Sequence, residues 1–546
     1  MIKILKPSVL VLAAALLAAC GASSSPTATI NLATTPGTLS VNPPLRIASL
    51  DAPSLQGALS ATAAGQQLLQ LTGNPVCGVD FYYLKFMTRG GAGEMTQSSG
   101  ALMVPTSTLA NGVAQICSGP RPILEYAHGT NTNKALNIAD ITNTSNTEGA
   151  LIAAMFAAHG YIVVAPNYAG YDISTLAYHP FLEAVQQSGE MMDILAAART
   201  ALPNSFTPGT SDNGQLFLTG YSEGGHVAMA TLRALEAAGA KITAAAPMSG
   251  PYALEAFGDT VFGGGVDIGS TVFAPLLANS YQQAHLNINN DPAGPIFSST
   301  YPDAQTQLPS TTPLDTLFAE GLLPETALFD SATPTQAEYP MVPPPLIAAM
   351  AVPPIDPAVP VTQIWHAGFG NPYLINNNYR VGYVLDAAQN PDGAVPIPQP
   401  GVPLAKVKPT QGLRQDLYVN DLRSGNWAPT VPTLMCGGEN DPTVYFSVNT
   451  GTMAAFWAAD PYVGMLDVDP QPPLFPAGPF AQIQEAFQGS QAALFQSLLA
   501  HYESAAGGGL SAAAAAAAAQ QMIVEGYHSA VAPFCSLAAR SFFSQF

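Results

Sequence analysis

The stretch Gly220-Tyr221-Ser222-Glu223-Gly224 constrains this chain more than any other feature. The apolar run Gln215-Leu216-Phe217-Leu218-Thr219 before it predicts a short buried strand, and the pattern over residues 225–237 predicts a helix. A strand that passes directly into a helix must turn sharply. Small residues on either side of Ser222 let the backbone pass close to itself, and glycine tolerates the dihedral angles this requires. The serine hydroxyl is then lifted above the end of a sheet, where a nucleophile can work. A bare G-x-S-x-G match is weak, because Gly and Ser are common in loops. The strand-and-helix context makes Ser222 the candidate nucleophile.

The chain around this turn alternates between strand and helix patterns. Residues 81–86 and 101–105 read as antiparallel strands. Residues 123–127 read as a strand ending at His128-Gly129-Thr130, followed by a helix over 151–158, a strand over 161–166 and a helix over 183–200. Residues 242–248 read as another strand, ending at Ser249-Gly250-Pro251. This alternation predicts an α/β chain, with a mostly parallel sheet and helices on both faces. From about Tyr252 to Trp427 it stops, and Pro, Gly and aromatics dominate. That is too long for a loop, so a cap inserted between two strands is expected. The pattern resumes with a strand at 431–437, a helix at 446–459 and a strand at 463–468. A second insertion over about 470–520 holds a helix near 480–501 and, after Ser511, eight alanines that favour helix without carrying chemistry. No internal repeat is found. The division expected is a leader (1–19), a lipidated cysteine and stalk (20–60), a first part of the core (61–251), a cap (252–427) and a second part of the core (428–546).

Lys3 and Lys6 precede an apolar run over 9–17 that is too short to span a bilayer. Leu17-Ala18-Ala19-Cys20-Gly21 resembles the bacterial lipobox, which implies a lipid on Cys20. An ordinary secretory leader is the alternative. Gly21 stands where an Asp would signal inner-membrane retention, so the expectation is an exported protein. It would be tethered to the cell envelope, at an outer membrane by that rule, or released outside. Residues 22–44 read as a flexible stalk. The formal net charge is −20, and loss of the leader removes two lysines and no acid. Nucleic acid, which requires a basic footprint, is therefore not an expected partner.

Export permits disulfides among the other cysteines, Cys77, Cys117, Cys436 and Cys535. Of three possible connectivities, Cys77–Cys117 with Cys436–Cys535 is favoured, and four buried thiols are the alternative. No C-x-x-C, H-E-x-x-H or calcium-loop pattern occurs, so neither metal nor cofactor is expected. Oligomeric state is left open.

An attacking serine needs a base, an orienting acid and an oxyanion hole. The acid is expected just past a late strand, in Gly437-Gly438-Glu439-Asn440-Asp441-Pro442-Thr443-Val444, with Asp441 the first choice and Glu439 the second. The base is expected on a loop near the C-terminus, and Glu525-Gly526-Tyr527-His528-Ser529 supplies His528. His501, on an expected helix, is its rival. His159, His179, His226, His285 and His366 fit less well. The backbone N–H groups of Glu223 and of Thr130, with Gly129 beside it, are the expected oxyanion donors. The His128 side chain is expected to support their loop.

Three stretches together, Tyr126-Ala127-His128-Gly129-Thr130, Val164-Ala165-Pro166-Asn167-Tyr168-Ala169-Gly170 and Gly220-Tyr221-Ser222-Glu223-Gly224-Gly225, resemble the secretory lipases of fungi and bacteria. Those are α/β-hydrolases with a large helical lid. The resemblance covers residues 81–251 and 431–528. It implies that fold and cofactor-free hydrolysis of carboxylic esters, of acylglycerol type or in aliphatic polyesters, by Ser222, Asp441 and His528 through an acyl-enzyme. Two features depart from the family: the long segment between Asp469 and His528, and the tether. A serine exopeptidase of the same fold would need acids in the cap to hold a substrate amine, and no pair is evident. A non-catalytic envelope-binding protein would show a wrong residue at one triad position.

Overall fold

Short runs of β-branched and small apolar residues build one nine-stranded sheet. Its strands are β1 (Leu45–Leu50), β2 (Gly78–Arg89), β3 (Met95–Thr106), β4 (Gly119–Ala127), β5 (Ile162–Pro166), β6 (Thr210–Tyr221), β7 (Ala244–Met248), β8 (Thr433–Gly437) and β9 (Val463–Asp467). They lie in the order β1-β2-β3-β5-β4-β6-β7-β8-β9. The pairs β1–β2, β2–β3 and β3–β5 are antiparallel, and every other pair is parallel. The computed structural model describes residues 29–30, 35–107, 114–143, 146–202, 209–356, 359–392, 408–470, 478–504 and 510–546. The leader, Cys20 and most of the stalk lie outside them.

The strands are apolar because both faces of the sheet are covered. Leu216 and Leu218 of β6 and Ile123 of β4 pack with Ile194, Ala198 and Leu232 from the helices Ala184–Ala201 and Glu223–Ala237. Phe217, Leu124 and Tyr126 point the other way, toward Ile152 of helix Thr147–Met155 and Val531 and Ala538 near the C-terminus. Each buried Leu or Phe contributes about 1.5–3 kcal/mol.

Two expectations fail. The helix expected at 446–459 is a π-helical turn, Ser447–Gly451, followed by a short α-helix, Thr452–Phe456. The loop expected around His528 is instead the middle of one helix, Ala512–Phe543, which begins in the alanine run. Ser511 caps that helix by accepting the Ala514 N–H. Tyr527, Val531, Phe534, Cys535 and Ala538 recur at helical spacing and bury one stripe of it. Against that packing, Gly526 inside the helix costs only about 1 kcal/mol.

Between β7 and β8 the chain leaves the sheet. The helices Leu254–Phe262, Ser270–His285, Asn377–Gln389 and Gly412–Asn420 contribute Leu254, Leu276, Tyr281, Tyr383 and Leu417 to a separate apolar core. Buried Arg414 reaches Glu255 (3.0 Å), Asp259 (2.9 Å) and Asp386 (2.8 Å) and so pins three of these helices together. Removing one partner of such a buried group costs about 3–5 kcal/mol. The insertion is fastened to the sheet-bearing part by His285 Nε2 to Glu183 Oε2 (3.0 Å) and by the Ala184 N–H to Asn420 Oδ1 (2.8 Å).

Helix Ala481–Glu503 packs on the C-terminal helix, with the Phe487 and Phe534 rings 5.2 Å apart. Two disulfides are present, Cys77–Cys117 and Cys436–Cys535. Among the described residues no helix is long and apolar enough to cross a membrane.

Candidate active site

β6 ends at Tyr221 and the next helix opens at Glu223, which leaves Ser222 between them at φ 60° and ψ −124°. A non-glycine residue persists in so rare a conformation only when its surroundings impose it. Here the Ser222 N–H donates to the Met248 carbonyl at the end of β7 (3.0 Å). A Cβ at Gly224 would stand 1.9 Å from the Ala127 carbonyl oxygen, and one at Gly220 would stand 2.3 Å from that of Gly224. No other residue type fits either position.

β8 ends in the turn that carries Asp441. Asp441 Oδ1 accepts the N–H groups of Thr443 (2.9 Å) and Val444 (3.1 Å). This leaves Oδ2 for His528 Nδ1 at 2.6 Å. Glu439 is exposed in the same turn, and it is Asp441 that meets the histidine. His501 is also exposed, on helix Ala481–Glu503. With Nδ1–H given to Asp441, the free ring nitrogen of His528 is Nε2, which is buried without a hydrogen-bond partner. Tyr221 couples the histidine to the serine turn: its hydroxyl donates to the His528 carbonyl, and the two rings lie 4.9 Å apart. The acid turn is braced from the residues just past β9. Asp469 Oδ2 accepts from Asn440 Nδ2 and from the Tyr527 hydroxyl, each at 2.9 Å.

The loop after β4 carries the other expected groups. His128 supports it: Nδ1 lies 2.7 Å from the Gly129 carbonyl, and the ring sits 4.1 Å from that of Tyr168. One assignment changes. The Gly129 N–H is already given to the two oxygens of Glu148, at 3.0 and 3.2 Å, so it is not free to meet an oxyanion. Thr130 and Glu223 remain, and both line a cavity with Ser222. Glu148, at the start of its helix, also accepts the Tyr126 hydroxyl (2.7 Å), and burial raises its pKa. The sequence holds no signal that would have singled it out.

The Glu223 side chain turns toward His179 Nε2 and Gln187 Nε2, both 2.6 Å from Oε1. Burial pushes its pKa up, but His179 first, then His128 and Gln187, outweigh that and hold it below the ordinary value. Its carboxylate therefore ties the first turn of the helix to His179 and Gln187. Phe257, Phe262, Phe273, Leu277, Leu413 and Leu417 make the cavity largely apolar. Among the described residues no group of His, Cys, Asp or Glu is placed to hold a metal ion.

No protein-family model matches the chain, and no curated protein matches it. Solved structures do. The rice cell wall degrading esterase LipA from Xanthomonas oryzae superposes with a TM-score of 0.57, at 24% identity over 79% of this chain and 91% of that one. The fold is that of the α/β-hydrolases. A candidate hydrolase of Legionella pneumophila also matches, with a TM-score of 0.50 and 19% identity, over 78% of this chain and 90% of that one. In this fold the serine turn, the acid turn and the loop after β4 all leave the sheet at the C-terminal ends of strands, where such folds place their ligands.

Proposed function

We propose that this α/β-hydrolase is a serine carboxylic-ester hydrolase for esters with an apolar acyl group, with Ser222, His528 and Asp441 as its triad. The observation that carries the reading is the 2.6 Å contact from His528 Nδ1 to Asp441, beside a serine held in a strained turn. Nε2 of His528 takes the proton of the Ser222 hydroxyl as its oxygen attacks the ester carbonyl. Asp441 holds the ring in the required tautomer and stabilises the imidazolium. The Glu223 and Thr130 N–H groups receive the oxyanion. His528 then protonates the departing alkoxide, and water, activated by the same nitrogen, releases the acid from Ser222. The apolar cavity houses the acyl chain, and the insertion between β7 and β8 serves as cap.

The test is hydrolysis of p-nitrophenyl esters of two to sixteen carbons by a soluble chain beginning at Gly21, beside Ser222→Ala. Activity that disappears in the variant supports the reading, and the preferred chain length sizes the cavity. A folded protein that cleaves none of these esters would refute it.

The Leu17-Ala18-Ala19-Cys20 motif supports a further part of the proposal, that the protein is exported and tethered to the cell envelope by lipid on Cys20. Incorporation of labelled palmitate that is abolished by Cys20→Ala would agree. Equal labelling of both proteins would exclude it.

A further inference from the structure

Asp267 breaks the apolar lining of the cavity. It lies in the short connection between helices Leu254–Phe262 and Ser270–His285 and is 5% exposed. Its Oδ1 accepts the Ser270 hydroxyl, while Oδ2 is buried with no hydrogen-bond partner. An orphaned carboxyl oxygen in an apolar enclosure is costly, and native chains rarely keep one without a use. The connection is also held firmly. The Ile268 N–H donates to the Pro442 carbonyl beside Asp441, and the Tyr445 hydroxyl donates to the Gly265 carbonyl, each at 3.0 Å. Asp267 is thus fixed relative to the turn that positions His528.

Building on the ester-hydrolase reading, we propose that Asp267 is a specificity residue that makes hydroxyl-bearing acyl groups, rather than plain hydrocarbon chains, the preferred occupants of the cavity. The substrate hydroxyl donates to Oδ2 and completes the pair that Ser270 begins. Burial moves Asp267 up to about 7 against the opposing Ser270 hydrogen bond, with a smaller push from the Asp441 charge, so that near neutral pH it is present both as the acid and as the carboxylate. A hydroxyl, which both donates and accepts, suits either form. An ammonium needs the full negative charge. A site built to bond a hydroxyl discriminates strongly against the analogue that lacks it, because its own polar atom is then left unpaired.

The experiment compares kcat/KM for methyl decanoate with that for methyl hydroxydecanoates bearing the hydroxyl at successive carbons, in the wild type, Asp267→Leu and Asp267→Asn. The expected result is one hydroxyl position favoured by roughly tenfold or more in the wild type, a ratio near or below one in Asp267→Leu, and a ratio partly kept in Asp267→Asn, which retains a hydrogen-bonding side chain. Decanoate hydrolysis with no preference for any hydroxyl position overturns this proposal and leaves the ester reading standing. So does an Asp267→Leu variant that slows on both substrates by the same factor. Methyl aminodecanoates are run beside them, and a preference for these over the hydroxydecanoates overturns it in favour of an amine. Hydrolysis of neither series overturns both proposals.

Discussion

Cys535 stands two helical turns beyond His528 on the same helix, and its disulfide to Cys436 fixes that helix to the last residues of β8, five positions before Asp441. The two residues of the 2.6 Å His–Asp contact come from distant parts of the chain. A covalent bond close to both holds them in register.

Replacing this disulfide by Cys436→Ala with Cys535→Ala should therefore lower kcat as well as stability. Loss of a native disulfide typically costs about 2–5 kcal/mol. The double variant Cys77→Ala with Cys117→Ala removes a bond near the opposite, N-terminal end of β4 and should lose stability with little change in kcat. Thermal melts and ester kinetics on the two double variants make the comparison. Equal effects on kcat would show that the Cys436–Cys535 bond has no bearing on the site.

Asp441→Asn should lower kcat by about a thousandfold or more, because an amide no longer enforces the Nδ1–H tautomer of His528. Glu439→Gln, an exposed change in the same turn, should leave kcat within about twofold, since surface substitutions remote from special features are nearly neutral. A larger loss in Glu439→Gln than in Asp441→Asn would reverse the assignment of the acid.

Glu148 fixes the loop after β4 through the Gly129 N–H and is itself held by Tyr126. Glu148→Ala frees that loop, so the Thr130 N–H is no longer preorganised. Misplacing a catalytic group by about 1 Å can cost on the order of a hundredfold in kcat. KM should change far less, because the apolar wall is untouched. Steady-state kinetics separates the two, and a change confined to KM would contradict the argument.

Glu125 lies in the middle of β4 with both carboxyl oxygens buried and unpartnered. Burial raises its pKa from 4.5 to about 8, against a smaller opposing pull from Arg199. Between those values the unfolded chain has released a proton that the folded chain keeps. Stability therefore falls as pH rises across that window. Glu125→Gln removes this contribution. Its melting temperature should fall less between pH 5 and pH 8 than that of the wild type, and at pH 8 it should be the more stable protein. Parallel melting curves for the two would refute this.

The strand–turn–helix around Ser222 was readable because every local signal agreed: a buried run, glycines where a Cβ collides, and a helical pattern beyond. β2 to β7 were readable for the same reason, and the positions of Asp441 and Thr130 follow from where strands end. Chain order pointed to His528, but its helical setting was not legible. Gly526 reads as a break, whereas the stripe from Tyr527 to Ala538 continues the helix, and only tertiary packing decides between the two. Glu148 and Asp267 left no mark on the sequence, because their significance lies in partners many residues away, or in the want of one. The walls of the cavity were equally hidden, since they converge from several helices that share no motif.

Most of the apolar wall comes from the segment between β7 and β8, while the turns bearing Ser222, Thr130 and Asp441 spring from β6, β4 and β8. Inherited variation therefore meets two very different tolerances in one molecule. At Gly220 and Gly224, on either side of Ser222, the backbone approaches itself so closely that any side chain collides. Along the inserted helices one aliphatic side chain exchanges for another at modest cost. Among the descendants of such a chain, substrate range will diverge well before chemistry does.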